Sequence, residues 1–94
     1  MSERTAPSLA KLDVLLPLIS GLPASPATTS LTENAEALRR AVAAFHMEAI
    51  RFRMYNVERG IYAAGTPAAV QQAFDEVRHA LETAGFHTRS HSAP

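Results

Sequence analysis

The chain has 94 residues, of which 47% are apolar, and its nine basic side chains balance nine acidic ones. This length limits it to one domain with a small core, and the balanced charge gives no overall attraction to nucleic acid or to an anionic membrane. The absence of cysteine excludes disulfides, thiolate metal sites and cysteine nucleophiles. We therefore expect a folded cytoplasmic protein that does not bind nucleic acid.

The N-terminal part predicts a short helix after a disordered start. Residues 1–7 are polar and are expected to be disordered. A helix is predicted over 8–20, because its apolar residues recur at helical spacing. These residues are Leu9, Leu12, Leu15, Leu16 and Ile19. Pro17 lacks an amide hydrogen, so the helix should either end near Leu16 or kink there.

The same segment contains the apolar run that most resembles a targeting signal. Residues 9–22 are too few to span a bilayer, which takes roughly 20 apolar residues. Glu3 and Asp13 precede the most apolar part of the run, which a signal peptide would not favour. Lys11 is its only basic residue, so a role on a membrane surface is not expected either.

The middle of the chain predicts one long helix after a linker. Residues 21–30 are rich in Pro, Ser and Thr, which is typical of a linker. Ser30 and Glu33 match a capping box at a helix start. From there good helix formers continue without proline, and the only glycine is Gly60. A second helix is therefore predicted over 31–63.

A third helix is predicted over 67–84, after a tight turn at 65–67. Its boundaries carry residues suited to an N-cap, a first helical position and a left-handed C-terminus: Thr66, Pro67 and Gly85. Phe86 should fold back on Leu81, a contact that often accompanies such an end. The tail, 87–94, is polar and is expected to be disordered.

The predicted fold is all-α: a long antiparallel hairpin of the second and third helices, with the short N-terminal helix, in a single domain over 8–86. Two apolar stripes at heptad spacing run along the second helix, and the third helix can cover only one of them. The stripes are Leu38, Val42, Phe45, Ala49 and Phe52, and Ala43, Met47, Ile50, Met54, Val57 and Ile61. The surplus apolar surface predicts either a three-helix monomer or, preferably, a homodimer with a four-helix type of bundle.

Polar residues interrupt the apolar surface of this second helix. Arg39, His46 and Arg53 follow one another at intervals of seven, and Asn56 lies beside them. They fit three roles: side chains that reach solvent or set the register of a seam, a groove for a partner or small ligand, or a catalytic site. The catalytic role is the weakest, because no carboxylate or nucleophile joins the line.

The outward side of the same helix carries Arg51, Tyr55, Arg59 and Tyr62 at helical spacing. These residues could form an ordinary solvated surface. The alternative is a recognition surface, because Tyr and Arg are enriched at binding hot spots.

No motif predicts a cofactor, a metal site or a catalytic residue. Glu76 and His79 have the spacing found in di-iron bundles, but both should face away from the apolar side of the third helix.

The sequence therefore predicts a non-enzymatic helical adaptor or regulatory protein that self-associates and binds a protein partner. The alternative is a small-ligand sensor or an accessory enzyme subunit that uses His46, Arg53 and Asn56.

Overall fold

The computed structural model describes residues 3–86, and this part of the chain folds into four α-helices. They are α1 Ala6–Ser20, α2 Pro26–Ala43, α3 Met47–Ala64 and α4 Ala68–Thr83. The all-α prediction is confirmed for this part of the chain. The disorder expected for 87–94 lies outside the described residues.

α1 begins earlier than predicted and does not end at its proline. Part of the expected disordered start is structured, since Thr5 is buried and its carbonyl accepts the amide of Leu9 at 2.9 Å. Pro17 lies inside the helix at an exposed position, and its missing amide removes one backbone hydrogen bond without ending the helix. The helix continues to Ser20, whose hydroxyl donates to the Pro17 carbonyl at 3.1 Å.

α2 starts inside the segment predicted as a linker, five residues before the predicted start at 31. Ser25 Oγ accepts the amide of Thr28 at 3.1 Å, and Thr28 Oγ1 accepts the amide of Ser25 at 2.9 Å. Pro26 occupies the first helical position, where its missing amide costs nothing. The capping box is therefore formed at Ser25 and not at Ser30.

The prediction of one helix over 31–63 is wrong, because the chain breaks between α2 and α3. The amide of Phe45 donates to Val42 O at 3.1 Å and that of His46 to Ala41 O at 3.0 Å, the two bonds of a Schellman helix end. Phe45 takes the left-handed position that usually belongs to glycine, with φ 60°. An unbroken helix of this length would measure roughly 50 Å, whereas the longest dimension of the described chain is 33 Å.

Contacts distant in sequence stabilise this break. The Phe45 and Phe86 rings meet edge to face, with 5.1 Å between centroids. The Arg4 guanidinium lies 5.3 Å from one ring centroid and 5.6 Å from the other, and it also donates to the Ala84 carbonyl at the end of α4. These aromatic and cation–π contacts offset the roughly 1–2 kcal/mol that a left-handed conformation costs a residue with a side chain.

The last two helix ends follow the glycine signals. Gly65 ends α3 with φ 60°, and Gly85 follows α4 with φ 97°. The predicted return of Phe86 is confirmed, since its amide donates to Leu81 O at 3.0 Å and its side chain is buried. At the start of α4, Pro67 and not Thr66 occupies the N-cap.

The predicted hairpin partners are also different. α2 packs along α3 and α1 along α4, α1 also contacts α2, and α3 with α4 form the smallest of these interfaces. The extensive hairpin is therefore α2–α3, in which Gly60 lies against Leu31: a Cβ added to Gly60 would stand 3.0 Å from Leu31 Cδ1.

Each helix contributes one face to a single core. The buried apolar residues are Leu9, Leu12, Leu15, Ile19, Leu31, Ala35, Leu38, Ala41, Val42, Ile50, Met54, Val57, Ile61, Val70, Phe74, Val77, Leu81 and Phe86. The break gives Leu38 and Val42 to α2, and the residues from Ile50 onward to α3, while Phe52 and Met47 are exposed. The long helix with two apolar stripes therefore does not form, and neither does the surplus stripe from which a homodimer was predicted.

Arg78 of α4 is a charged residue that packs beside the core. It is buried, its guanidinium lies 5.2 Å from the Phe74 ring centroid, and it pairs with Glu58 of α3 at 2.9 Å. Among residues 3–86, no helix is both long and apolar enough to cross a membrane.

Candidate functional site

The predicted polar line is divided among separate contacts, beginning with Arg39 of α2. Its Nε and Nη2 donate to the two carboxylate oxygens of Asp13 in α1 at 2.8 and 3.2 Å. This hydrogen-bonded pair holds the pKa of Asp13 below its ordinary value of 3.8. Arg39 therefore joins α1 to α2.

His46 lies at the break and caps the next helix. Its Nδ1 accepts the amide of Ala49 at 3.2 Å, which satisfies one of the free N–H groups at the start of α3.

Arg53 is directed toward α2. Its Nη1 donates to Asn34 Oδ1 at 2.9 Å, and its guanidinium lies 5.2 Å from the ring of Phe52. Asn56, which was predicted to lie beside the line, is half-buried on α3. Arg39, His46 and Arg53 are thus each held by a different segment of the chain.

The predicted outward residues stay together on one helix face. Arg51, Tyr55, Arg59 and Tyr62 are spaced by four, four and three residues, so they follow one side of α3. Phe52 extends the same side. Tyr62 is 91% exposed, Phe52 54% and Tyr55 42%, so three of the six aromatic residues of the chain face outward here. We call these five residues the α3 face.

A groove of about 410 Å³ lies at the C-terminal half of this face. It is lined by Tyr55, Glu58, Arg59, Tyr62 and Ala63 from α3 and by Gln71 from α4. Arg59 extends over Tyr55, with 5.6 Å from guanidinium carbon to ring centroid. A second groove of about 260 Å³ continues past Tyr62 toward Gly65. Tyr62 thus stands as a ridge between two depressions.

The charges of the face are only partly compensated. Glu58 is paired with the buried Arg78, so its negative charge is compensated within the molecule. Arg51 is half-buried, and its Nε donates no hydrogen bond to any part of residues 3–86. Arg59 forms no ion pair within the same part of the chain, and its guanidinium lies over the Tyr55 ring. The exposed Arg59 therefore remains available to an acidic group of a partner.

Sequence patterns alone missed two of these residues. Phe52 was assigned to an apolar stripe, and its exposure depends on the break before α3, which no local signal marks. Gln71 belongs to the groove only because α4 returns beside the end of α3. The turn at Gly65 indicated that return, but it did not indicate the crossing of the helices.

Glu76 and His79, which have the spacing found in di-iron bundles, lie on α4. Glu76 accepts from Lys11 of α1 at 2.7 Å, which lowers the pKa of Glu76 below its ordinary value of 4.5. His79 is exposed. Over residues 3–86, His, Asp and Glu side chains form no group of three or more that could hold a metal ion.

No protein-family model, no curated protein and no solved structure matches the chain.

Proposed function

We propose that the chain is a non-enzymatic helical interaction module that binds a protein partner through the α3 face. The observation that carries the proposal is the grouping of Phe52, Tyr55 and Tyr62 with two arginines on one side of one helix, all at least partly exposed. Large aromatic side chains are rarely left in water in such a group, because their burial against a partner is worth several kcal/mol.

The composition of the face supports a protein as the ligand. Tyr, Trp and Arg are the residues most enriched at binding hot spots. The groove beside Tyr62, about 410 Å³, is large enough for one or two side chains of a partner. Its walls belong to two helices fixed by the core, so little ordering free energy is lost on binding.

The non-enzymatic part rests on the use of the polar side chains. Arg39, His46 and Arg53 are occupied in joining or capping helices. The small-ligand alternative, which needs His46, Arg53 and Asn56 at one site, gains no support from these contacts. The cytoplasmic location expected from the sequence stays a prediction.

Affinity capture from a lysate of the native host tests the proposal with two matched variants of the full chain. In the first, Arg59→Glu and Tyr62→Ser alter the α3 face. In the second, Val14→Ser and Leu18→Ser remove exposed apolar side chains of α1 and leave the α3 face intact. Both must unfold at a temperature close to that of the parent chain.

Proteins that are captured by both the parent chain and the α1 variant should be recovered at least about tenfold less with the α3 variant. This ratio corresponds to about 1.4 kcal/mol of binding free energy. Equal recovery of every protein with the α3 variant and the parent chain would show that this face is not the binding surface.

A further inference from the structure

A second surface of the same chain has features complementary to the α3 face. It is a groove of about 330 Å³ between α1 and α2, lined by Asp13, Leu16, Pro17, Ser20, Thr32 and Glu36. We call it the α1–α2 groove. It shares no residue with the α3 face.

The wall and the rim of this groove differ in character. Leu16 and Pro17 provide an apolar wall, the first half-buried and the second exposed. Asp13 is neutralised by Arg39. Glu36 is exposed and has no ion pair within residues 3–86. The groove therefore combines apolar surface with one uncompensated negative charge.

The α3 face presents the reverse combination. Tyr62 protrudes almost fully into solvent, and the uncompensated Arg59 lies three residues before it on the same side of the helix. A phenol ring against Leu16 and Pro17, with the guanidinium reaching Glu36, would satisfy both surfaces at once. Neither Arg59 nor Tyr62 lines the groove within one molecule, so the contact would join separate molecules.

We propose that the occupant of the α1–α2 groove is the Tyr62–Arg59 ridge of a second copy of this chain. The contact is heterologous, because one surface meets a different surface. In a pair of molecules one α1–α2 groove and one ridge stay unoccupied, so each can bind a further copy. The zero formal net charge of the chain opposes association little. This assembly rests on the proposed function, since it names a partner for the α3 face.

Because the two surfaces differ, variants of each surface can be tested for complementation. Sedimentation velocity of the full chain measures association from about 10 to about 500 μM, the range expected for a weak contact made by a few side chains. The ridge variant carries Arg59→Glu and Tyr62→Ser. The groove variant carries Glu36→Arg. Their controls make similar charge changes at exposed positions of α2 outside both surfaces: Arg40→Glu and Glu33→Arg.

We expect the average mass of the parent chain to rise above the monomer mass of 10.1 kDa and to pass that of a dimer. The ridge variant and the groove variant, each alone, should associate at least about tenfold more weakly. Mixed in equal amounts, they should recover association, because the intact ridge of the groove variant meets the intact groove of the ridge variant. Both controls should behave as the parent, and salt should weaken the contact.

Three outcomes would overturn the proposal. A parent chain that stays monomeric at the highest concentration excludes it. Association of the groove variant as strong as that of the parent would mean that another surface receives Tyr62. Failure of the two variants to pair when mixed would exclude a heterologous contact.

The proposed function is judged separately by the lysate capture. If capture depends on the α3 face while the parent chain remains monomeric, the face binds another protein and only this assembly is wrong. If neither capture nor association depends on Arg59 and Tyr62, both proposals fail.

Discussion

Among residues 3–86, Phe45 is the one residue other than glycine with a positive φ. Its φ of 60° ends α2 in the manner of Gly65 and Gly85, but with a side chain present. The ring is retained there because it contacts Phe86 and Arg4. Substitution of Phe45 can separate the cost of its left-handed φ from the stabilisation that its ring contacts provide.

We expect Phe45→Gly to be more stable than Phe45→Ala by about 1 kcal/mol, because both lose the ring but only glycine removes the left-handed strain. Urea denaturation of dilute protein measures the difference. Ala10→Gly, at an exposed position inside α1, is the control and should lose about 1 kcal/mol. An alanine variant as stable as the glycine variant would mean that residue 45 carries no strain.

His46 offers a second test at the same break. His46→Ala removes the acceptor for the Ala49 amide and should lower the free energy of unfolding by about 1 kcal/mol. His46→Ser, which supplies a short-range acceptor, should restore it. A role of the imidazole in ligand binding predicts instead that serine fails to rescue binding, whatever the stability of the variant.

At the scale of elements, α2 and α3 approach each other closely at Gly60. A Cβ there would meet Leu31 Cδ1 at 3.0 Å and its Cβ at 3.5 Å, and Leu31 is fully buried. Glycine weakens a helix interior by itself, so its presence here reflects the packing distance.

Gly60→Val should therefore destabilise the chain by about 2 kcal/mol through overpacking. Combination with Leu31→Ala should cost less than the sum of the two single variants, because the smaller side chain makes room for valine. Gly65→Ala is the contrast: no atom lies within 4 Å of its added Cβ, so its cost of about 1 kcal/mol comes from φ alone and should be additive with Leu31→Ala. Strict additivity at Gly60 would contradict the packing explanation.

At the scale of the whole molecule, two exposed ion pairs tie α1 to its neighbours: Asp13 with Arg39 of α2, and Glu76 of α4 with Lys11. In both cases the hydrogen-bonded cation lowers the carboxyl pKa in the folded state, below ordinary values of 3.8 for Asp13 and 4.5 for Glu76. Such groups contribute stability above the unfolded-state pKa and lose it as pH falls through the folded one.

A double variant, Asp13→Asn with Glu76→Gln, should thus be less stable than the parent at neutral pH. The difference should shrink as pH falls below about 4.5 and vanish once both carboxyls of the parent are protonated. Because both pairs are largely exposed, it should also shrink in high salt. Thermal unfolding at a series of pH values measures it, and a difference independent of pH would show that the pairs contribute nothing through charge.

The sequence by itself determined the helical content, the ends at Gly65 and Gly85, the return of Phe86 and the grouping of Tyr55, Arg59 and Tyr62. Each depends on spacing or on the conformation of one residue, which local chemistry sets. The start of α2 belongs here too: Ser25, Pro26 and Thr28 are ordinary start signals, although the composition of their surroundings suggests a linker.

Only the tertiary structure decided where the long run of helix formers breaks. Nothing beside Phe45 forbids a continuous helix. The left-handed turn is stabilised by Phe86 and Arg4, which lie near opposite ends of the chain and reach Phe45 only once α1 and α4 have packed together. That break sets the phase of α3, and the phase turns Phe52 outward and Ile50 inward. Local propensity cannot select between two helical phases that differ only in contacts made across the folded core.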